Sequence, residues 1–259
     1  MSWATRRRFF IVVLLALIAG GLVYWYYVPV IYKAPLCTDG VMNGTETGID
    51  CGGTMCSTLC RAEVQTPSLI WARSFPVTDT VYNAAAYIEN KNNAGTRTIA
   101  YEFRLYDEKD ILAARVSGTT IIPPLGRYAI VETGIPVGTA RVKSTEFSFG
   151  STPAVWERVP EAIARLRVST SSMKLDTASP IPKLSATITN SSPTVRFENT
   201  VVATILYDAD DNAVNVSRTI LPVLGPGMSA PVFFTWPRPF SSPVVRYDIV
   251  PVIDVFLAK

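Results

Sequence analysis

The chain has 259 residues, which is enough for one or two domains, and its formal net charge is +3. The basic excess lies before residue 34, since residues 34–259 carry 20 basic and 21 acidic side chains, and this balance argues against a nucleic-acid partner. The sequence contains no histidine, which excludes a Ser-His-Asp triad, a Cys-His pair and any histidine-ligated zinc or haem.

The first predicted element is a transmembrane helix over residues 9–32, a stretch without a charged side chain. About 20 apolar residues in a helix are enough to cross the hydrocarbon core of a bilayer. Arg6, Arg7 and Arg8 precede the stretch, and positive flanks stay in the cytoplasm. Aromatic residues 24–27 suit the opposite interface. We therefore expect residues 1–8 to be cytoplasmic and the C-terminal part to lie outside the cytoplasm, with the bilayer as a partner of residues 9–32.

A cleaved signal peptide is the alternative for this segment, with residues 16–21 as the cleavage region. Signal peptides have an apolar region of only about 7–15 residues, followed by small residues at the cleavage site. Here the apolar run continues past Gly20 and Gly21 into the aromatic cluster. The pattern favours an uncleaved anchor in a cell membrane.

Residues 33–62 form the next segment and contain all four cysteines, Cys37, Cys51, Cys56 and Cys60. An even number of cysteines outside the reducing cytosol indicates disulfides, and four cysteines allow three pairings, which the sequence leaves open. A Cys₄ zinc site lacks the paired short spacings that such sites use. We therefore predict a small segment held together by disulfides.

The residues from Cys37 to Gly53 follow the pattern C-x-D-G-x-x-N-G-x-E-T-x-x-D-C-G-G. This pattern resembles a Cys-rich motif of bacterial surface and secreted proteins, and the resemblance implies an extracellular disulfide module without a defined activity. Four residues in it offer oxygen ligands of the kind that Ca²⁺ prefers: Asp39, Asn43, Glu46 and Asp50. Their spacing does not match an EF-hand, and Asp and Asn also favour turns by bonding their own backbone. Turns are the favoured interpretation, with a structural calcium ion as the alternative cofactor.

Beyond residue 62 the sequence predicts a mainly β protein with two copies of one domain, over residues 63–150 and 151–259. Short runs rich in Val, Ile, Thr, Tyr and Phe alternate with clusters of Pro, Gly, Asn and Ser, as in sandwiches. Three blocks recur about 100 residues apart: residues 87–90 with 187–190, residues 102–107 with 203–208, and residues 121–126 with 220–225. In each copy the first block ends a strand at an Asn, and the second ends at an acidic turn.

The run Phe103-Arg104-Leu105-Tyr106-Asp107 resembles the FxLYD family of bacterial extracytoplasmic domains. The second copy departs from the family pattern, because Thr204 stands in the aromatic position before Leu206-Tyr207-Asp208. The resemblance implies two tandem immunoglobulin-like β-sandwiches and carries over no catalytic residues. Neither copy contains a cysteine, so neither has an inter-sheet disulfide.

The acidic turns are the remaining polar clusters: Asp107, Glu108 and Asp110 in the first copy, and Asp208, Asp210 and Asp211 in the second. They could ligate Ca²⁺ or act as an acid and base pair, but a shared turn geometry is favoured because both copies have them. Tyr106 and Tyr207 are expected to anchor the sandwich cores. The segment 236–240, rich in aromatic residues and proline, is either an exposed binding patch or a loop tucked under the last strand.

A short joint at residues 150–153 predicts that the two sandwiches form a stiff rod. Together these features predict a non-enzymatic, membrane-anchored protein that presents two domains to a protein partner in a cell-envelope assembly. An envelope glycan-active enzyme that uses carboxylates and a calcium-dependent adhesion module are the alternatives. The enzyme would need two carboxylates about 5–10 Å apart in a cleft.

Overall fold

The computed structural model describes residues 3–31, 35–164, 166 and 168–256. Parts of the predicted segments lie outside these residues: residues 1 and 2 of the predicted cytoplasmic N-terminus, residue 32 of the predicted helix, residues 33 and 34 of the predicted cysteine segment, and residues 165, 167 and 257–259 of the predicted second sandwich. The chain divides into two compact units, residues 1–55 and residues 56–259, which are described separately.

The first unit contains the predicted apolar helix and most of the cysteine segment. Helix α1 runs from Trp3 to Ile31, and within it Thr5–Val28 is long and apolar enough to cross a bilayer. None of that stretch is buried. Residues 35–55 form turns, with an isolated bridge between Gly48 and Cys51. The glycine-rich composition of that part explains why no regular element forms there.

The second unit is built almost entirely from strands. Its elements are, in chain order, a 3₁₀ helix at Arg61–Glu63, then β1 (Ser68–Pro76), β2 (Val81–Asn90), β3 (Ala94–Asp107), β4 (Leu112–Ile122), β5 (Gly126–Pro136), β6 (Val142–Phe149), β7 (Glu157–Arg158), α2 (Glu161–Ala164), β8 (Val168–Asp176), β9 (Lys183–Asn190), β10 (Phe197–Tyr207), β11 (Ala213–Leu224), β12 (Ser229–Thr235) and β13 (Arg246–Val252). The mainly β fold with one N-terminal helix confirms the predicted class.

The strands form four antiparallel sheets, two for each predicted domain. The first domain has sheet 1 with the order β4-β3-β6 and sheet 2 with the order β1-β2-β5. The second domain has sheet 3 with the order β11-β10-β13 and sheet 4 with the order β12-β9-β8. The two domains have the same connectivity. In the sequence repeat, β1 of the first domain corresponds to β8 of the second, and β6 corresponds to β13.

Three buried layers hold these four sheets together. Ala84, Ala86 and Ile88 of β2 face Phe103 and Leu105 of β3, and these residues form the core of the first sandwich. Their counterparts in the second sandwich are Leu184, Ala186 and Ile188 of β9 with Val202 and Leu206 of β10. A third cluster lies between sheets 2 and 3, and it contains Phe75, Ala85, Ala129, Val131, Ala203, Ile205, Tyr207, Ala213 and Val216. The four sheets therefore stack in the order 1, 2, 3, 4.

This stacking replaces the rod that the short joint predicted. The domains pack through whole sheet faces, since Ala85, Val131 and Ile205 are at most 4% exposed. An aligned stack of sheets about 10 Å apart excludes water from every inner face. The joint also differs from the prediction, because Trp156 is buried in the core of the first sandwich. Residues Glu157 and Arg158, which follow it, pair with β3.

A buried asparagine marks the same place in each sandwich. Asn90 donates through Nδ2 to the carbonyls of Ala94 and Pro123 at 2.9 and 2.8 Å. Asn190 donates to the carbonyls of Val195, Leu224 and Gly225 at 2.7, 3.2 and 3.0 Å. Both side chains are at most 1% exposed, and such buried amides need these partners. Each of the predicted turn-forming asparagines thus connects the turn that follows its own strand to the end of β4 or β11.

The third repeated block does not superpose residue by residue. The sequence aligned Leu125 with Leu224, but Leu125 is 46% exposed and Leu224 is 1% exposed. The strand pairing instead places Ile122 opposite Thr96 and Leu224 opposite Phe197. Leu125 lies one turn further on, with a φ of 47° in the left-handed region. Its side chain is therefore available on the surface of the first domain.

Candidate binding groove

A groove of about 500 Å³ lies where the two sandwiches meet. The first domain lines it with Tyr87 and with residues 123–128, which are the turn after β4 and the start of β5. The second domain lines it with residues 247–251 of β13, and with Val168, Thr170 and Met173 of β8. This size is within the range of ligand sites in proteins. We call the cavity bounded by these residues the groove.

A network of charges centred on Arg246 borders the groove. The Arg246 guanidinium lies 3.7 Å from the centre of the Tyr207 ring and 2.7 Å from both carboxylate oxygens of Asp248. It also contacts Asp211 at 2.5 Å. The hydrogen bonds that Arg246 donates to Asp248 and Asp211 raise the pKa of its guanidinium. The Arg246 guanidinium thus binds two carboxylates and contacts one aromatic ring. These contacts fix the position of the start of β13, next to the residues of this strand that line the groove.

Two tyrosines near this network have raised pKa values. Burial raises the pKa of Tyr207 to about 12, with a smaller contribution from the Asp248 carboxylate. Burial also raises the pKa of Tyr87, whose ring lies 5.7 Å from that of Trp71. A phenol that is shielded from water and faces a carboxylate keeps its proton. Both phenols are therefore neutral at physiological pH, and of the two it is Tyr87 that lines the groove.

The side chains that line the groove suit the binding of a ligand better than they suit glycoside hydrolysis. Among the described residues that line it, Asp248 is the one carboxylate, and Arg246 already pairs with it. Glycoside hydrolysis uses two carboxylates about 5–10 Å apart. Apart from Arg127 and Thr170, the side chains of the remaining lining are apolar or aromatic, and Leu125 and Met173 are 46% and 43% exposed. Apolar walls with a few polar groups are typical of sites that recognise a ligand.

The four cysteines of the predicted segment are all disulfide-bonded, as the sequence predicted. In the second unit, the part of this segment after Met55 packs on the first sandwich. The Leu59 N–H donates to the Trp156 carbonyl at 2.8 Å, and the Arg158 N–H donates to the Ser57 carbonyl at 2.7 Å. These bonds extend the pairing of β7, so the end of the disulfide segment is continuous with the sheet structure.

The predicted oxygen ligands in the cysteine segment make turn contacts. The Gly40 N–H donates to both carboxylate oxygens of Asp50 at 3.0 Å, and the Val41 N–H donates to Asp39 at 2.9 Å. Asn43 donates through its N–H to Glu46 at 3.1 Å and through Nδ2 to Asp39 at 2.9 Å. These are the contacts that the turn interpretation predicts. Calcium binding by the four residues stays a prediction.

The acidic turns of the two sandwiches have one geometry. Asp107 Oδ1 accepts the N–H groups of Lys109 and Ile111, both at 2.8 Å. Asp208 Oδ1 accepts the N–H groups of Asp210 and Asn212, at 3.0 and 2.8 Å. The third residue after each aspartate is left-handed, with φ values of 59° at Asp110 and 62° at Asp211. The shared turn geometry predicted from the sequence is therefore present in both copies.

The expected core role of the two repeated tyrosines needs correction. Tyr207 is 4% exposed but is buried between the domains, not inside the second sandwich. Tyr106 lies on the outer face of sheet 1 and donates its hydroxyl to Glu146 at 3.1 Å. The side chains at these positions point away from the sandwich core because Phe103, Leu105 and their counterparts occupy the inward positions.

Trp236 settles the choice between an exposed patch and a tucked loop. It is 3% exposed, and its indole N–H donates to the Val216 carbonyl at 3.2 Å. The Phe240 ring packs against it in an edge-on arrangement at 5.2 Å. Trp236 and Phe240 therefore hold this segment against the second sandwich, while residues 237–239 between them are exposed.

The sequence did not predict the groove, although one signal pointed to the interface beside it. Strands with one buried face alternate apolar and polar residues, whereas strands buried on both faces are apolar throughout. Residues 84–86 are three consecutive alanines, and residues 201–207 contain one polar side chain before the terminal tyrosine, Thr204. Both strands are central strands of the two sheets that face each other. Continuous apolarity in β2 and β10 was therefore the available sign of stacking.

No family model matches the sequence, and no curated protein matches it. Among solved structures, the crystal structure of red sea bream transglutaminase is similar with a TM-score of 0.25 and 11% sequence identity. The match covers 74% of this chain and 30% of the transglutaminase chain. At so low a TM-score the similarity supports no conclusion about fold or activity.

Proposed function

We propose that the protein is a single-pass membrane protein whose β-sandwiches lie outside the cytoplasm and bind a protein partner in the cell envelope. The observation that carries the proposal is the exposed apolar helix: Thr5–Val28 has no side chain buried by the rest of the protein. Apolar side chains over this length are unstable in water and are covered by lipid at a bilayer.

Charge and oxidation support the proposed orientation. Arg6, Arg7 and Arg8 lie at one end of the helix, and such clusters are retained in the cytoplasm. The disulfide-bonded cysteines follow the other end, and disulfides persist in oxidising compartments. Both features favour an N-terminus inside and an ectodomain outside. The bacterial, FxLYD-like assignment belongs to this proposal too, and it rests on the run Phe103-Arg104-Leu105-Tyr106-Asp107.

Binding is favoured over catalysis for the ectodomain. The acidic turns use their first aspartates to fix backbone N–H groups, and the groove offers one carboxylate that an arginine already holds. The domains form one stack with a cavity at their junction, an arrangement that provides a rigid surface for a partner. We therefore propose a non-enzymatic role as an interaction subunit.

Fractionation of intact cells tests the anchor. The full-length protein should stay with the membrane pellet until detergent is added, and external protease should digest the ectodomain. A double variant, Leu14→Arg with Ile18→Arg, should weaken insertion, because each buried arginine costs about 2.5–3.5 kcal/mol at the centre of a helix. Leu14→Val with Ile18→Val is the matched control. Recovery of the unaltered protein in a soluble fraction, or a mature protein that begins after residue 21, would overturn the anchor.

Photo-cross-linking in the same cells tests partner binding. A photoreactive residue would replace Glu108 on one acidic turn, Thr187 on the outer face of sheet 4, or Tyr247 in the groove. We expect at least one position to give a discrete adduct with another envelope protein, absent without irradiation. If no position gives an adduct, the proposed interaction role is wrong.

A further inference from the structure

The two sandwiches differ at one seam. In each sandwich the first and last strands are edges of opposite sheets: β1 and β6 in the first, and β8 and β13 in the second. In the first sandwich β1 and β6 contact each other along the seam. In the second sandwich the groove lies between β8 and β13. The seam is therefore closed by contact between the strands in the first copy. In the second copy it is bordered by the groove and crossed by a hydrogen bond that the Tyr247 hydroxyl donates to the Met173 carbonyl at 3.5 Å.

Four aromatic rings fill the inner side of the closed seam. Phe103 and Phe147 lie 5.0 Å apart, centre to centre, and they face each other across β3 and β6. Phe149 lies 5.1 Å from Phe147, and Tyr101 lies 6.0 Å from it. Aromatic side chains of this kind fill large volumes and stabilise each other by ring contacts.

The second sandwich lacks these rings at the matching positions. The strand pairing places Thr204 opposite Ile249 and Val202 opposite Pro251, where the first sandwich has Phe103 opposite Phe147 and Tyr101 opposite Phe149. Ile249 and Pro251 both line the groove. The groove therefore borders two positions at which the first sandwich has aromatic rings.

The groove also runs along an open strand edge. It is lined by five consecutive residues of β13, 247–251, over a length of about 13 Å at the usual rise per residue. In the described part of the chain, β13 is paired with β10 alone. An edge strand presents a row of main-chain donors and acceptors that another strand can satisfy.

We propose that the groove binds an extended polypeptide segment of a partner protein, about five residues long, which adds to β13 as a further strand. The inference rests on the proposed function and names the site and the chemistry of its partner. Alternate side chains of the segment would enter the space between Leu125, Met173 and Ile249, and the others would face solvent. Strand addition of this kind takes its affinity from main-chain hydrogen bonds and its selectivity from side-chain pockets.

The open edge of β13 and the apolar walls together favour a peptide over a lipid tail or a sugar as the ligand of the groove. A peptide backbone supplies donors and acceptors at the repeat of the strand, which neither a lipid tail nor a sugar ring does. The apolar walls at Pro124, Leu125 and Met173 favour apolar side chains on the inward positions. Pro251 has no N–H, so it limits the ladder at that end of the groove.

Peptide display on the full-length protein in lipid nanodiscs tests the inference. The probe is a library of displayed seven-residue peptides with apolar residues at alternate positions. We expect enrichment on the wild-type protein, and measurable binding of an enriched peptide by fluorescence anisotropy. The same peptide with alternate amides N-methylated keeps its side chains and loses main-chain donors. Its binding should be at least tenfold weaker.

Two variants place the binding in the groove. Ile249→Phe copies Phe147 of the closed seam, and it should weaken peptide binding at least tenfold by filling the space. Leu125→Asn removes an apolar wall at a left-handed position that asparagine adopts readily, so it should weaken binding with the melting temperature unchanged. Val223→Asn, at another exposed apolar position of a strand end, is the matched control and should bind like wild type.

Each outcome decides between the proposals. No enrichment, undiminished binding by the N-methylated peptide, or wild-type binding by both groove variants would overturn the strand-addition site. If cross-linked partners then still form through Glu108 or Thr187 in cells, the proposed interaction role stands without the groove. Peptide binding at the groove with no cross-linked partner at any position would instead support the site and overturn the proposed role.

Discussion

The two sandwiches contain the same strand in two different environments. In the first domain, β3 turns alternate side chains toward water, and in the second domain the matching strand β10 is buried on both faces. The outward residues of β3 are Glu102, Arg104 and Tyr106, and those of β10 are Ala203, Ile205 and Tyr207. Ala203 and Ile205 stand where β3 has Glu102 and Arg104, and the tyrosine is kept. A change of two outward side chains therefore accompanies the change from an outer wall to an interface.

The two domains use different sheets in their contact, since sheet 2 of the first domain packs on sheet 3 of the second. Such an unequal contact could continue with further copies if the outer faces were apolar. They are polar instead: the outward residues of β9 are Ser185, Thr187 and Thr189, where β2 has Ala85 and Tyr87. The side chains at outward positions of the central strands therefore decide which sheet faces stack and which stay in water.

The largest expected effect comes from the aromatic seam of the first sandwich. Phe103→Ala should lower the free energy of unfolding by about 3–5 kcal/mol, because it opens a cavity in a closed core. Thr204→Ala, at the matching position, should lower it by about 1–2 kcal/mol through the lost hydrogen bond to the Asp248 carbonyl. Urea unfolding of the full-length protein in detergent measures both. Equal losses would show that the rings do not distinguish the two seams.

A smaller loss is expected at the interface between the domains. Ile205→Ala removes side-chain atoms that are fully buried between sheets 2 and 3, and it should lower the free energy of unfolding by about 2–4 kcal/mol. Arg104→Ala, its counterpart on the outer face, should change it by about 0.5 kcal/mol or less. The same urea experiment compares them. A large loss for Arg104→Ala would contradict the assignment of sheet 1 as an outer wall.

The interface also makes stability depend on alkaline pH. The pKa of Tyr207 is about 12 in the folded protein, against 10.0 without burial, so the unfolded chain loses this proton first. Stability should therefore fall as the pH rises from 10 toward 12. Tyr207→Phe removes the titrating hydroxyl and should reduce this fall, with a similar urea midpoint at pH 7. An unchanged slope in the variant would indicate that Tyr207 is accessible to water.

The smallest effects are expected at the acidic turns, where the two domains are alike. Asp107→Ala and Asp208→Ala should each lower the free energy of unfolding by about 1 kcal/mol, since each loses two exposed hydrogen bonds. Asp208→Asn keeps the accepting oxygen and should recover most of the loss. A chelator should leave the melting temperature of the unaltered protein unchanged. A lower melting temperature with chelator would favour calcium over the turn interpretation.

The sequence by itself determined the local features of this protein. The uncharged run gave the helix, the even number of cysteines gave the disulfides, and alternation in β3 and β9 gave strands with one buried face. The acidic turns were also predictable, because an aspartate bonds the N–H groups of residues two and four positions away. Each of these follows from interactions between neighbours in the chain.

Only the tertiary structure decided how the two sandwiches meet. The interface joins Ala85 and Val131 to Ile205, residues more than 70 positions apart, and no local pattern pairs one sheet with another. The groove is lined by Ile249 and Pro251 of β13 together with residues of the first domain and of β8, which become neighbours only in the folded chain. Facing side chains of distant strands must together fill the space between two sheets. Which side chains face each other is settled only when the chain folds.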